Sequence, residues 1–396
     1  MSVADRLVGL VRAGLPAGQV VGVALSGGGD STALLHLCRA AGLAVEAVTV
    51  DHDLRPESAE EAAKVALDCA ALGVPHVVAV WKHGPVAGNL MDAARRARSG
   101  LIRDWARARG IGHVALGHTR DDQAETVLMG LARQAGIAGL SGMRPCWTEG
   151  DLVFHRPLLT AGRDELRAWL RGRTVSWIDD PTNEDVRFQR VRARKVLVAL
   201  AGLGITAEGL AGVAGHLASV QAALAVQVRG AGRHMTESAG ALQVDPGLWR
   251  EPTEVQRQLI VAALGWLSGV GYAPRAADVL RFRAAMQAGR DATLAGCRYR
   301  KGWLLREGRA LGGPVDLAQV WDGRWRVTGP VGEVRALGAA GLRQSPDWRR
   351  VGLPRQVLEV TPGVWQGDVL LAAPSAGFGP ATATVAPSFN AFLLSH

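Results

Sequence analysis

Gln19-Val20-Val21-Gly22-Val23-Ala24-Leu25-Ser26-Gly27-Gly28-Gly29-Asp30-Ser31 decides the fold. Its first seven residues, Gln19–Leu25, form an apolar run that reads as a buried strand. Ser31–Ala41 then carries apolar residues at helical spacing. Between the two, three consecutive glycines let the backbone approach an anion closely with its N–H groups turned inward. A helix starting at Ser31 adds the partial positive charge of its N-terminus. The loop lacks the Lys of a Walker A motif and offers the carboxylate of Asp30 instead, which suits a Mg²⁺ ion bridging phosphate oxygens. The bland alternative is a glycine-rich turn with Asp30 or Ser31 as N-cap. The spacing between a strand and an amphipathic helix favours phosphate binding by Ser26, Gly27, Gly28, Gly29, Asp30 and Ser31.

Outward from this loop the same alternation continues to about residue 200. Val45–Val50, His76–Trp81 and His113–Leu116 read as strands, and Ser58–Leu72, Leu90–Arg109 and Asp121–Gln134 as helices. Such repeats predict an α/β fold, a doubly wound parallel sheet with helices on both faces and ligands at the strands' carboxyl ends. After Leu203 the character changes. Ala207–Val228, Pro252–Ser268 and Pro274–Gly289 read as helices, Asp291–Glu307 as a hairpin, and the tail as short β-like runs rich in Gly, Pro, Trp and Arg. Three parts are expected: a catalytic domain over 1–203, a mainly helical middle domain over 204–318 and a small C-terminal α+β module over 319–396.

The formal net charge of +9, carried almost entirely by Arg, suggests an anionic partner such as nucleic acid. Arg324, Arg326, Arg349 and Arg350 are candidates for phosphate contacts in the tail. Cys38, Cys69, Cys146 and Cys297 lie far apart with no C-x-x-C pair, which speaks against zinc, iron–sulfur and disulfide frameworks. No signal-peptide pattern is visible and no apolar stretch reads as long enough to span a membrane, so a cytoplasmic protein without membrane attachment is expected.

Two further clusters fall at strand ends. Val50-Asp51-His52-Asp53-Leu54-Arg55 follows the second strand, and Gly117-His118-Thr119-Arg120-Asp121-Asp122-Gln123-Ala124-Glu125-Thr126 follows the fourth. With the glycine loop they would converge on one crevice. Ala124, Val127, Leu128 and Leu131 form the predicted core stripe of the helix, with Asp122 and Glu125 one turn apart on a neighbouring face. These two carboxylates could share a metal or accept a proton, although acidic residues at a helix start also serve as caps. Arg95 and Arg98 on Leu90–Arg109 are cationic candidates; Arg98 falls within the helix's apolar stripe and is either snorkelling or turned to a buried anion. Arg187, Arg190, Arg192, Arg194 and Lys195 form a second basic set. His36 reads as structural; Trp147 and Trp177 could stack on a base.

The loop resembles the N-type ATP pyrophosphatase superfamily, whose motif is S-G-G-x-D-S and whose members cleave ATP between the α- and β-phosphates. Val50–Arg55 and Gly117–Leu128 resemble, more narrowly, the V-D-H-G-L-R and G-H-x-x-D-D-Q-A-E-T-V-L patterns of tRNA(Ile)-lysidine synthetases. Gly136–Met143, Arg156-Pro157-Leu158-Leu159 and Trp177–Asn183 are also similar, so the likeness spans about residues 19–200. It implies a cytoplasmic, tRNA-modifying ligase with ATP as substrate and Mg²⁺ held by Asp30 and Asp122. Its partners would be free L-lysine and an isoleucine tRNA with a CAU anticodon. ATP would adenylate C2 of cytidine 34, and the lysine ε-amine would displace AMP to give lysidine. The implied ATP-binding residues are Ser26–Ser31, Asp51, His52 and His118, and the implied catalytic ones Asp30, Arg95, Asp122, Glu125, Arg190 and Arg194. The oligomeric state is left open, a homodimer included.

The chain also departs from that family. Asp53 replaces a Gly, and Met91 and Ser99 stand where a Glu and a Tyr are usual, with Asp92 displaced by one position. Val191 replaces the Asn of an R-N-x-x-R pattern whose arginines match Arg190 and Arg194. A tRNA thiolase is the nearest rival, but its usual catalytic Cys or C-x-x-C set is missing. An amidating ligase lacks a visible ammonia-handling segment, and a tRNA-binding protein without catalysis sits poorly with the intact loop, Asp122 and Glu125.

Overall fold

A computed structural model describes residues 2–53, 57–84, 90–179, 185, 187–269 and 274–395. The ends of two motifs, Leu54-Arg55 and Asp180–Asn183, lie outside these residues. The chain forms two compact units, residues 1–221 and 222–396. The three-part division expected from composition differs from these bounds.

In the first unit, a helix α1 (Val3–Gly14) leads into β1 (Val21–Ala24), α2 (Gly29–Ala40), β2 (Val45–Asp51), α3 (Ser58–Ala71) and β3 (His76–Val80). Then follow α4 (Leu90–Ala108), β4 (His113–Leu116), α5 (Arg120–Ala132), α6 (Ile137–Leu140), β5 (Cys146–Glu149) and β6 (Leu152–His155). Helices α7 (Arg163–Arg171), α8 (Gln189–Leu200) and α9 (Ala207–Ala231) complete it; α9 continues past residue 221. The strands form one sheet in the order β3-β2-β1-β4-β6-β5, parallel except for the β5–β6 hairpin. Strand β1 pairs with β2 on one side and β4 on the other, so Val21 faces both Val45 and His113. The strand order therefore reverses at β1, and the loops leaving β1 and β4 flank that switch point, where α/β sheets bind ligands.

Both sheet faces are covered, as the alternation predicted. Leu7 and Val11 of α1, Leu34 and Leu37 of α2 and Leu166 and Leu170 of α7 bury one face. On the other, Ile102, Trp105 and Ala106 of α4 pack against Val114 and Leu116. A Cβ on Gly22 would lie 2.8 Å from the Trp105 ring, so this glycine is the notch that seats the indole. One predicted core position fails: Leu131 is 52% exposed. Ala124 and Val127 are buried as expected, but the inward face of α5 also contains Asp122 and Glu125.

In the second unit, β7 (Met235–Ser238), β8 (Ala241–Val244), α10 (Thr253–Ser268), α11 (Ala276–Gln287), β9 (Ala292–Leu294), β10 (Cys297–Arg300) and β11 (Trp303–Arg306) come first. Their strands make a sheet in the order β7-β8-β11-β10-β9. The hairpin read from Asp291–Glu307 is there as β10–β11, turning at Lys301-Gly302, both with positive φ. The tail adds β12 (Val315–Asp316), β13 (Trp325–Thr328), β14 (Glu333–Ala336), β15 (Pro362–Gln366), β16 (Val369–Ala372) and β17 (Thr382–Val385), in a four-stranded sheet and a β13–β17 pair.

Two sequence expectations are corrected. Arg324 is not a surface cation: it is buried, 3.8 Å from Asp322 and stacked over Trp266 and Trp325, whereas Arg326, Arg349 and Arg350 are exposed. A stretch of membrane-spanning length does exist, since Ala207–His234 is helical with a mean hydropathy of 1.5 over its best window. Its many Ala, Val and Leu residues raise the hydropathy, and length and composition alone make one such helix weak evidence for a span.

Candidate active site

The glycine loop owes its shape to one glycine more than to three. Gly27 has φ +80°, and a Cβ there would lie 2.8 Å from both Ile178 and Val65. The Ile178 N–H donates to the Gly27 carbonyl at 2.9 Å, tying the 177–178 segment to the loop. Gly28 is the N-cap, so α2 starts at Gly29, earlier than the expected Ser31, and neither Asp30 nor Ser31 serves as cap. The Ser31 hydroxyl instead donates to the Gly28 carbonyl at 3.0 Å and accepts from the Ser26 N–H at 3.2 Å. That leaves the Asp30 side chain free to leave its own helix. Gly117, after β4, completes the crevice: a Cβ there would sit 2.9 Å from the Ser31 Cα.

Asp30, Asp122 and Glu125 converge on Arg163, the first residue of α7. Its Nε lies 3.1 Å from Asp30 Oδ2, Nη2 3.0 Å from Asp122 Oδ1 and Nη1 3.3 Å from Glu125 Oε1. The Arg163 backbone N–H donates to Asp121 at 2.7 Å. Burial disfavours the charged guanidinium, yet Asp122, Asp30 and Glu125 more than offset it and raise its pKa. For Asp30 the balance reverses: burial raises its pKa despite the nearby guanidinium. Glu125 is 1% exposed, and its Oε1 also accepts from Arg194 Nε at 2.9 Å. Asp122 is a cap, one of the alternatives the sequence allowed: its Oδ2 accepts from Thr119 N at 2.8 Å and Oγ1 at 3.0 Å at the start of α5. Asp30 Oδ1 and Glu125 Oε2 are buried without a hydrogen-bond partner.

A second group has the opposite character. Arg95 and Arg98 of α4, Arg156 after β6 and Arg190 of α8 form one field of positive charge. Burial, then Arg95 and Arg190, push the Arg156 pKa down to about 10. Arg98 is closely surrounded by protein although its residue surface stays open to water, and burial with Arg95 and Arg190 lowers its pKa too. No carboxylate among the described residues forms an ion pair with these four. Arg156 is fixed by its neighbours: it lies 4.0 Å over the Trp147 ring, Nη1 donates to the Arg144 carbonyl at 2.9 Å and Nε to His118 Nδ1 at 3.1 Å. His118 must therefore accept at Nδ1 and carry its proton on Nε2. Burial, then Arg156, lowers its pKa to about 3, so it is a neutral donor rather than a proton-transfer group.

The remaining predicted residues take lesser places. Asp51 is buried and accepts from the Asp53 N–H at 2.9 Å, bracing the turn after β2. Asp53 has φ +51°, the left-handed conformation that glycine favours and Asp tolerates, which accounts for the Gly-to-Asp departure. His52 stands edge-on to Trp81, with its pKa lowered by burial and then by Arg98. Val191 is buried, so the missing Asn of the arginine pattern has become a core contact. Trp177 closes over the start of α2, 3.5 Å from where a Gly29 Cβ would be, and its N–H donates to Asp179. Trp147 stacks on Phe154 and carries Arg156 on its ring, so it is a platform for the arginine. Sequence reading assigned no role to Arg156 or Arg163. Arg163 had one signal: a cation at a helix N-terminus opposes the helix dipole.

Residues 3–201 match the model of the PP-loop domain family. The chain is 44% identical to the tRNA(Ile)-lysidine synthase of Ruegeria pomeroyi, over 95% of this chain and 94% of that one. It is 40% identical to the tRNA(Ile)-lysidine synthase of a Methylobacterium species, over 67% of this chain and 78% of that one. Among solved structures, the U34-tRNA thiolase NcsA of Methanococcus maripaludis with its [4Fe-4S] cluster is similar with a TM-score of 0.48. That likeness has 16% identity over 54% of this chain and 79% of that one.

Proposed function

The chain belongs to the tRNA(Ile)-lysidine synthase family, with a PP-loop domain over residues 3–201, and from that premise we propose how its crevice joins lysine to tRNA. ATP binds with its phosphates on the Gly27–Ser31 turn, where backbone N–H groups and the start of α2 favour anions. The base is cytidine 34 of an isoleucine tRNA bearing a CAU anticodon. Its C2 oxygen attacks the α-phosphorus, pyrophosphate leaves, and the ε-amine of free lysine then displaces AMP from C2. Each step moves negative charge onto phosphate oxygens, and Arg95, Arg98, Arg156 and Arg190 supply fixed cations for it. His118 adds a neutral Nε2–H donor.

The observation that carries this reading is the uncompensated arginine field beside an intact phosphate loop. Four guanidinium groups held together without an ion-paired carboxylate among the described residues are unfavourable until an anion arrives. Mg²⁺ would supply Lewis-acid stabilisation of the triphosphate. The donor set fits Mg²⁺ held by few protein groups, since Asp30 keeps a buried, unpartnered Oδ1 beside the phosphate turn. Asp122 has both oxygens engaged, by Thr119 and Arg163, and is better placed to orient than to ligate. Arg194 acts through Glu125 rather than on substrate directly. The setting would be the bacterial cytoplasm.

The test is incorporation of labelled lysine with ATP into unmodified isoleucine tRNA, with AMP and pyrophosphate as co-products. Labelling of that tRNA, with almost none in the methionine tRNA sharing its CAU anticodon, is expected. Equal labelling of both tRNAs would refute the assigned specificity, and sulfur transfer in place of lysine would move the chain to the thiolases.

A further inference from the structure

Arg163 occupies the position in which a cation would be expected among three carboxylates. Its three guanidinium nitrogens each face a different one, Asp30, Asp122 and Glu125, at 3.0–3.3 Å. Its side chain is 13% exposed and Glu125's is 1% exposed. Two buried acceptors in this cluster, Asp30 Oδ1 and Glu125 Oε2, nevertheless have no partner. The carboxylates thus have spare capacity for positive charge, while the guanidinium already neutralises part of it.

We propose that Arg163 is a positioning residue that acts as a resident counter-ion, suppressing divalent-cation binding at Asp30 until a nucleotide brings phosphate oxygens to complete the coordination. This rests on the reading of the crevice as an ATP site, and it deepens that reading by saying when the metal can enter. A divalent ion approaching the nucleotide-free site meets a fixed guanidinium within a few ångströms, and like charges repel strongly where water is scarce. Mg²⁺ also gives up its waters reluctantly and is commonly held by one or two carboxylates plus substrate phosphates. A triphosphate on the Gly27–Ser31 turn supplies both the missing oxygens and the negative charge that outweighs the guanidinium. The guanidinium meanwhile keeps Asp30 and Asp122, from α2 and α5, at fixed positions. Free metal without nucleotide therefore does not assemble the site, and metal and ATP enter as a unit.

The experiment uses Mn²⁺ alone as probe, titrated by electron paramagnetic resonance into the full chain without nucleotide. Wild type is expected to bind it weakly. Arg163→Gln, which removes the charge and leaves Asp30 and Asp122 without their ion-pair partner while Glu125 keeps Arg194, should bind Mn²⁺ at least roughly tenfold more tightly. Adding Asp30→Asn to that variant should abolish the gain, whereas Arg163→Lys, which keeps a cation in place, should remain near wild type. Arg163→Met is a second neutral variant of similar length should Arg163→Gln fail to fold, with circular dichroism reporting the fold. Metal affinity equal to wild type in a folded neutral variant would overturn the inference. Collapse of both neutral variants would also overturn it, by assigning Arg163 to the fold alone. Formation of AMP by wild type with tRNA, lysine and ATP is scored separately: its absence would refute the functional reading whatever the metal titration showed.

Discussion

The two sides of the crevice handle charge in opposite ways. Around Arg163, three carboxylates are ion-paired to one largely buried guanidinium, with Arg194 added at Glu125. Around Arg156, four guanidinium groups meet without an acidic partner among the described residues. Helix α8 spans both regimes: Arg194 donates to Glu125, whereas Arg190, one turn earlier, adds to the positive field at Arg98, Arg156 and His118. A matched ion cluster holds geometry. An unmatched one raises the energy of the empty protein and lowers it when an anion binds, so the difference separates residues that build the site from residues that use it.

The largest effect expected from this contrast is a split between activity and stability at Arg98. Arg98→Gln removes a cation without an ion-paired carboxylate among the described residues, so lysine incorporation should fall by roughly 100-fold. The same change relieves repulsion from Arg95 and Arg190, so the empty protein should be unchanged or more stable by about 0.5 kcal/mol. Steady-state kinetics beside urea unfolding reads both quantities. A variant that lost stability along with activity would place Arg98 among the structural ions, and the contrast would fail.

Glu125→Gln probes the matched side. The carboxylate is wholly buried between Arg163 and Arg194, and neutralising it takes the paired carboxylate from Arg194 and one of three from Arg163. Removing one partner of a buried cluster typically costs about 3–5 kcal/mol. Arg163 keeps Asp30 and Asp122, and Arg194 is 37% exposed and can turn to water, so about 2–3 kcal/mol is expected here. Urea unfolding of the full chain measures it. A loss below about 0.5 kcal/mol would mean that Glu125 is held for chemistry alone.

What could be read in advance follows the range of the interactions. The strand–glycine–helix unit, the parallel sheet and the three clusters at strand ends are encoded over a few residues, and all were legible. The convergence on Arg163 was not, because its partners Asp30, Asp122 and Glu125 stand 133, 41 and 38 residues away in sequence. Helical periodicity assigned Leu131 to the core because apolar spacing cannot register that Glu125 has an arginine waiting inside. Arg324 was misread for the mirror-image reason: a basic residue in a basic tail looks exposed, yet Asp322 and two indoles enclose it. In both cases the error lies with a charged residue whose burial depends on a distant partner. Asp53 is the converse, since a departure from the family pattern turned out to preserve the backbone conformation that glycine supplies.

The smallest expected effect concerns His118, which stands between the two regimes, one residue before the Thr119 cap and hydrogen-bonded to Arg156. An unfolded His118 takes up a proton near pH 6.5, whereas burial and Arg156 hold the folded ring neutral down to about 3. Between those values the unfolded chain binds a proton that the folded chain does not, so acid favours unfolding. Stability from this residue is intact above pH 6.5, is lost progressively as the pH falls below it, and stops changing near the folded pKa. From pH 7 to pH 5 the loss should be about 2 kcal/mol. His118→Asn keeps an acceptor for Arg156 but cannot titrate, so its stability should fall less over the same interval by about that amount. Urea unfolding of both proteins at pH 7 and pH 5, followed by tryptophan fluorescence, isolates the difference from every other titrating group. A neutral His118 also predicts that the activity of wild type has no limb near pH 6.5 arising from this ring, and that His118→Asn leaves the shape of the pH profile unchanged while lowering its height. Equal loss of stability in the two proteins would show that His118 is protonated when folded, and would place it on the charged side of the crevice with the arginines.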